Sequence, residues 1–127
     1  MASLTEFLEA RIAEDEAVAK AATEGPWASG VESSGDAVWH TVTAPEFGLD
    51  DWMADFGQRW QDAKHAARFD PVRVLAECAA KRSIIAAQKK QEDDDDPSAW
   101  IVASEVLLAS LASVYSNHRD YRQEWAA

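Results

Sequence analysis

The sequence predicts a mainly α protein: a compact bundle of three long helices plus short helices, with a small β-hairpin allowed after the first helix. Three observations predict it. Apolar residues recur at helical spacing near the start, in the middle and near the end of the chain. Gly25-Pro26 and Asp70-Pro71 punctuate those runs where a helix must stop or restart. Only the stretch from Trp27 to Ala44 changes to the two-residue alternation of strands. At 127 residues, with no internal repeat and no long linker, residues 1–127 fit a single helical domain.

The first helix is expected over Ser3 to Ala22. Ser3, followed three residues later by Glu6, forms a capping box that satisfies backbone N–H groups left free at a helix start. Leu4, Phe7, Leu8, Ile12, Val18, Ala19 and Ala22 share one face, and Glu9, Glu14, Asp15 and Glu16 fall mostly on the other. Gly25-Pro26 ends it. Val31-Glu32 and Ala37 to Thr43 then flank a Ser33-Ser34-Gly35-Asp36 cluster, which fits two short strands around a turn or an irregular loop. A two-stranded hairpin is marginal alone and must lean on the helices. Pro45 to Gly57 mixes Phe47, Leu49, Trp52, Met53 and Phe56 with Asp50, Asp51 and Asp55, and fits a short helix or an ordered loop from Leu49.

Trp60 to Phe69 reads as a short helix that stops at Asp70-Pro71. Asp70 is then the N-cap of the next helix and Pro71 its first residue, where a missing N–H costs nothing. That helix runs from Pro71 to about Lys90, buries Val74, Leu75, Cys78 and Ile85, and ends on Lys89 and Lys90, which complement its dipole. Residues 91–97 carry a run of acids and read as a solvated loop. Asp96 or Ser98 caps a third long helix. Its run through Trp100, Ile101, Val102, Val106, Leu107, Leu108, Leu111, Val114 and Tyr115 is apolar over more than one stripe, so it is expected to be the most buried element. Asn117 marks its stop, and Tyr121 and Trp125 are spaced to dock the tail back.

The formal net charge is −11, and it is unevenly placed. Residues 1–56 hold 12 acids and two bases, residues 57–90 eight bases and three acids, and residues 91–127 eight acids and two bases. A basic middle can therefore match acidic ends within the fold. Acidity argues against direct nucleic-acid binding, which depends on Lys and Arg neutralising phosphates, and against anionic membranes. A lone Cys78 excludes an intramolecular disulfide framework. The first 14 residues lack the basic and apolar regions of a secretory signal, so a cytoplasmic location is expected.

Three phrases carry a resemblance. The first is Asp15-Glu16 with Ala21-Ala22-Thr23-Glu24-Gly25-Pro26-Trp27. The second runs from Asp62 through His65, Arg68, Asp70, Pro71 and Arg73 to Leu75, and on to Lys81-Arg82. The third comprises Leu107, Leu111, Tyr115, His118, Asp120-Tyr121-Arg122 and Glu124-Trp125. Together they resemble a domain-of-unknown-function family of small acidic proteins from actinobacteria and their phages. The resemblance implies a phage or prophage protein acting on a host component, and no chemistry.

The residues themselves predict no catalytic, cofactor-binding or metal site. His65 and Asp70 are separated by a helix boundary, and no metal-ligand spacing occurs. Glu14-Asp15-Glu16 lacks partner carboxylates at repeated spacing on facing helices, since Glu77 and Glu105 stand alone. Cys78 sits on an apolar helical face and reads as core. Six tryptophans are many for this length. Trp39, Phe47, Trp52, Phe56 and Trp60, interleaved with Asp50, Asp51 and Asp55, either close a core that short helices cannot close or form an interaction surface. The function expected is that of a non-enzymatic protein that binds and modulates another protein, with a homodimer also compatible. The alternatives are a DNA mimic and a small metal-dependent hydrolase without a recognisable motif.

Overall fold

The computed structural model describes residues 2–48, 50–92 and 98–126. Its elements are α1 (Leu4–Ala21), β1 (Ala28–Ser34), β2 (Ala37–Thr43), β3 (Ala54–Asp55), α2 (Trp60–Arg68), α3 (Pro71–Glu92) and α4 (Ser98–Ala112). Short 3-10 turns occupy Pro45–Phe47, Ser113–Tyr115 and Gln123–Trp125. The bundle of three long helices is therefore corrected to four helices and a three-stranded antiparallel sheet of order β1-β2-β3. The hairpin does follow the first helix. It does not merely lean on a bundle: its strands are seven residues each, β3 widens it, and α2 packs on β1 and β2.

The chain divides into two compact units, residues 16–76 and residues 1–15 with 77–127. In the first, the sheet forms because Gly35 stands at φ +60° directly after Ser34, which pairs with Ala37. A positive φ at the first central residue is what a two-residue turn of the II′ type requires, and glycine adopts it without a Cβ clash. Val42 is fully buried, and Thr41, Ala44 and Ala63 are nearly so. Of the expected helix or loop from Leu49, residues 50–53 are loop, with a 3-10 turn at Pro45–Phe47 before it and β3 at Ala54–Asp55 after it. Leu49 itself lies outside the described residues.

In the second unit, Phe7, Leu8, Ile12, Cys78, Ile85, Leu108 and Ala112 are buried together with Arg11. The capping box begins as expected, with Ser3 Oγ accepting the Glu6 N–H at 3.1 Å. The buried face of α1 is narrower than its periodicity suggests, because Val18 is 72% exposed. α4 is not the most buried element among its described residues. Leu108 and Ala112 are buried, but Val106 and Leu107 are more than half exposed, and Val114 after it is too. Hydropathy all round a helix thus reflects no all-round burial here. Trp100, Ile101 and Val102 lie in the part of α4 whose side chains are not described, and Asp93–Pro97, most of the expected acidic loop, lie outside the described residues. Gln91 and Glu92 belong to α3. No helix among the described residues is long and apolar enough to cross a membrane.

Candidate functional site

Residues 16–76 bring the Gly25-Pro26-Trp27 part of the first phrase and the Asp70-Pro71 part of the second together into one lock. Asp70 is 6% exposed. Its Oδ1 accepts the Arg73 N–H at 3.0 Å, which is N-capping of α3, and its Oδ2 accepts the Trp27 N–H at 2.9 Å. Pro71 supplies no N–H that needs an acceptor. Trp27 turns its Nε1–H to the Thr23 carbonyl at 2.8 Å, so the indole covers the chain leaving α1. Gly25 stands so close that a Cβ there would come within 2.8 Å of both Asp70 Oδ2 and Val72 Cγ2. Gly25, Pro26, Trp27, Asp70 and Pro71 thus form a structural clamp. Both Asp70 oxygens serve backbone N–H groups, and neither is offered to His65 for acid–base work. His65 instead packs against Phe69, ring centroids 4.7 Å apart, and the Arg73 guanidinium lies 4.2 Å from the Phe69 centroid. Arg68 is exposed.

The same unit carries the residues expected as an interaction surface. Trp39 and Trp52 meet edge to face, centroids 5.9 Å apart. Trp39 Nε1 is buried and has no acceptor, the kind of unsatisfied donor that costs about 1–3 kcal/mol and calls for a functional or strain explanation. Asp50, Asp51 and Asp55 are exposed beside them, as is Glu46. Two of these acids also hold the loop in shape: Asp51 Oδ1 accepts the Trp52 N–H at 2.8 Å and Asp55 Oδ1 the Gly57 N–H at 2.7 Å. Among the described residues none of Glu46, Asp50, Asp51 and Asp55 makes an ion pair. Phe47 and Phe56 are half-buried, so they support the loop more than they face outward. Trp60 is 45% exposed and turned elsewhere, toward a cleft of about 350 Å³ that also touches Val31, His40, Ala63 and Lys64. The Lys64 ammonium lies 5.1 Å from its ring centroid.

Residues 1–15 with 77–127 gather the third phrase around a residue that periodicity passed over. Arg11 is 8% exposed. Its Nη2 donates to Glu14 at 2.9 Å, its Nη1 reaches both ring nitrogens of His118 at 2.7 Å and stands 3.5 Å from Asp120. His118 Nδ1 also accepts the Asp120 N–H at 3.0 Å. Phe7 lies among Tyr115, His118, Tyr121 and Trp125, with Trp125 nearest at 5.0 Å between centroids. Tyr121 and Trp125 do dock the tail, 5.7 Å apart and edge to face. The Tyr115 hydroxyl donates to Asp15 Oδ2 at 2.6 Å and accepts from Lys81 Nζ at 3.1 Å. Burial pushes its pKa well above the ordinary phenol value, and the hydrogen bond to Asp15 adds to that. Lys89 pairs with Glu9. The signal for Arg11 was present in the sequence: it is the one basic residue between Phe7 and Ile12, directly beside the apolar Ile12.

This cluster positions a tail rather than reacting groups. A cleft of about 490 Å³ beside it touches Arg11, Arg119 and Arg122, which suggests anion binding. Each arginine already faces an acid, however: Arg11 faces Glu14 and Asp120, Arg119 faces Asp120, and Arg122 faces Glu124. Among the described residues no group of three or more His, Cys, Asp or Glu side chains is arranged to hold a metal ion. Arg82 is exposed on α3.

A family model described as "Family of unknown function (DUF6221)" matches residues 1–127, so the likeness extends through residues 28–58 and 91–106, which the three phrases leave out. No curated protein and no solved structure matches the chain.

Proposed function

The chain belongs to the family of unknown function DUF6221, and within it we propose a small acidic, non-enzymatic protein that binds and modulates another protein. In a phage- or prophage-derived setting that partner is a protein of the bacterial host. The observation that carries this reading is the ordered acidic loop around Trp39 and Trp52. Glu46, Asp50, Asp51 and Asp55 are exposed without ion pairs among the described residues, and backbone hydrogen bonds to Asp51 and Asp55 pre-set the loop. Free carboxylates speed encounter with a basic surface, and aromatic rings supply affinity once the surfaces meet. A pre-ordered loop loses little entropy on binding.

The DNA-mimic reading draws on the same carboxylates, but they stand among indole rings rather than in a phosphate-like row. Some acids elsewhere are compensated, as in Glu9–Lys89 and Glu14–Arg11. The hydrolase reading finds no metal-holding group among the described residues. Affinity capture from bacterial lysate tests the proposal. Wild type retains a defined basic partner, and Trp52→Ala and the double change Asp50→Asn, Asp51→Asn each weaken that retention while circular dichroism stays unchanged. Capture of nothing above background, or equal capture by the variants, would overturn it.

A further inference from the structure

The sheet has one long edge, and register settles which of its backbone groups are free. In the β1–β2 ladder Val31 lies opposite His40, Ser29 opposite Val42 and Ser33 opposite Val38. His40 and Val42 give their backbone groups to the other side. His40 N–H donates to the Gly57 carbonyl, the His40 carbonyl accepts the Phe56 N–H, and the Val42 carbonyl accepts the Met53 N–H. In an antiparallel pair, residues whose groups point away on one strand lie opposite residues whose groups point away on the other. Ser29, Val31 and Ser33 therefore direct their N–H and C=O groups outward, and no backbone hydrogen bond engages them among the described residues. All three residues are exposed, Val31 at 61%.

Natural edges are blunted by charged side chains, lysine above all, by proline or by a bulge, and Glu32 is the one charge on β1. β1 (ASGVESS) has no lysine, no proline and an unbroken register with β2 over seven residues. Its two faces differ in chemistry. Val31 stands beside Trp60 at the cleft between β1 and α2, an apolar lining. Glu32 faces the other way, paired across the ladder with Trp39 and so continuous with the acidic, aromatic loop. From Ala28 to Thr43 the chain holds Glu32 and Asp36 and no lysine or arginine.

We propose that β1 is a docking edge for an extended segment of a basic partner protein, which adds as a fourth strand with basic side chains on the Glu32–Trp39 face and apolar ones against Val31 and Trp60. The proposal rests on the protein-binding reading above and names its mode. Main-chain hydrogen bonds to Ser29, Val31 and Ser33 give affinity, and alternate side chains give specificity. A second copy of this chain is the weaker occupant, because two chains of net charge −11 repel and neither offers a basic strand from β1.

The test uses amide exchange by NMR on the full chain, with a capped seven-residue peptide alternating Lys and Val as probe and tetralysine as control. At saturation the alternating peptide slows exchange at Ser29, Val31 and Ser33 by about tenfold or more, and tetralysine does not. Val31→Pro removes one outward N–H while leaving the ladder to β2 intact, and it weakens peptide binding by about tenfold. Glu32→Lys, which leaves every backbone group in place, weakens it several-fold. No protection at the three amides, equal protection by tetralysine, or unchanged binding by both variants overturns the proposal. Protection without peptide that rises with protein concentration and tracks a dimer mass overturns it in favour of a second copy. If peptide binding fails while Trp52-dependent capture holds, the edge alone is refuted and the interaction reading stands.

Discussion

Replacing Asp70 with alanine removes the clamp that joins the Gly25-Pro26-Trp27 turn to the start of α3. The carboxylate is 6% exposed and accepts two backbone N–H groups, from Trp27 at 2.9 Å and Arg73 at 3.0 Å. Hydrogen bonds to a charged group contribute roughly 1.5–3 kcal/mol each, and loss of an N-cap alone costs about 1 kcal/mol. The Arg73 N–H is in the first turn and regains water easily, so its share lies near the capping figure. The part-buried Trp27 N–H regains water less readily and lies higher in the range. The expected loss is about 3–4 kcal/mol, a large part of the roughly 5–15 kcal/mol that holds a domain together. Asp70→Asn keeps one acceptor oxygen and points an amide at the other N–H, so it should cost about 2 kcal/mol. Urea denaturation followed by tryptophan fluorescence and far-ultraviolet circular dichroism measures both. A loss below about 1 kcal/mol for alanine, or an asparagine variant as unstable as the alanine one, would refute the argument.

Three further outcomes follow from particular contacts. Gly25→Ala drives a methyl to 2.8 Å from Asp70 Oδ2 and Val72 Cγ2, so it should cost about 1–3 kcal/mol, and clearly less when Asp70 is already alanine. A denaturation cycle over the four proteins checks that coupling. The Tyr115 pKa is raised on folding, first by burial and then by its bond to Asp15, so the unfolded chain loses that proton first. Its contribution is fully present below about pH 10 and is lost as pH rises further toward the folded value. Stability should therefore fall above that pH, and Tyr115→Phe should flatten the fall and abolish a late phenolate absorbance; an unchanged titration would count against it. Arg11→Met should destabilise by about 1 kcal/mol and speed hydrogen exchange in residues 118–126, because His118, Asp120 and Glu14 lose their common cation while the two exposed acids regain water. Unchanged exchange in the tail would show that the aromatic packing alone holds it.

Local rules account for what was legible along the chain. The capping box at Ser3, the stop at Gly25-Pro26, the restart at Asp70-Pro71 and the docking of Tyr121 and Trp125 depend on residues close in sequence, whereas the sequence left the stretch around Gly35 open between a hairpin and a loop. The place of the aromatic loop was less legible. Trp39 and Trp52 do meet beside Asp50 and Asp51, but Trp60 faces a different cleft, since its direction is set by α2 lying on the sheet. β3 escaped notice because two residues carry no period. They become a strand only when Thr41 and Val42 offer partners.

By itself the sequence determined where the first helix starts, where Gly25-Pro26 ends it and where Asp70-Pro71 restarts the chain as a helix, because caps and proline act locally. Tertiary structure decided the rest. It set a three-stranded sheet under α2 in place of a helical bundle, gave Asp70 a second backbone donor 43 residues away, buried Arg11 among the tail's rings, and left one strand edge open. The physical reason is common to all four. Hydrogen-bond partners and burial belong to pairs of distant residues, and hydrophobic period names a face without naming what covers it.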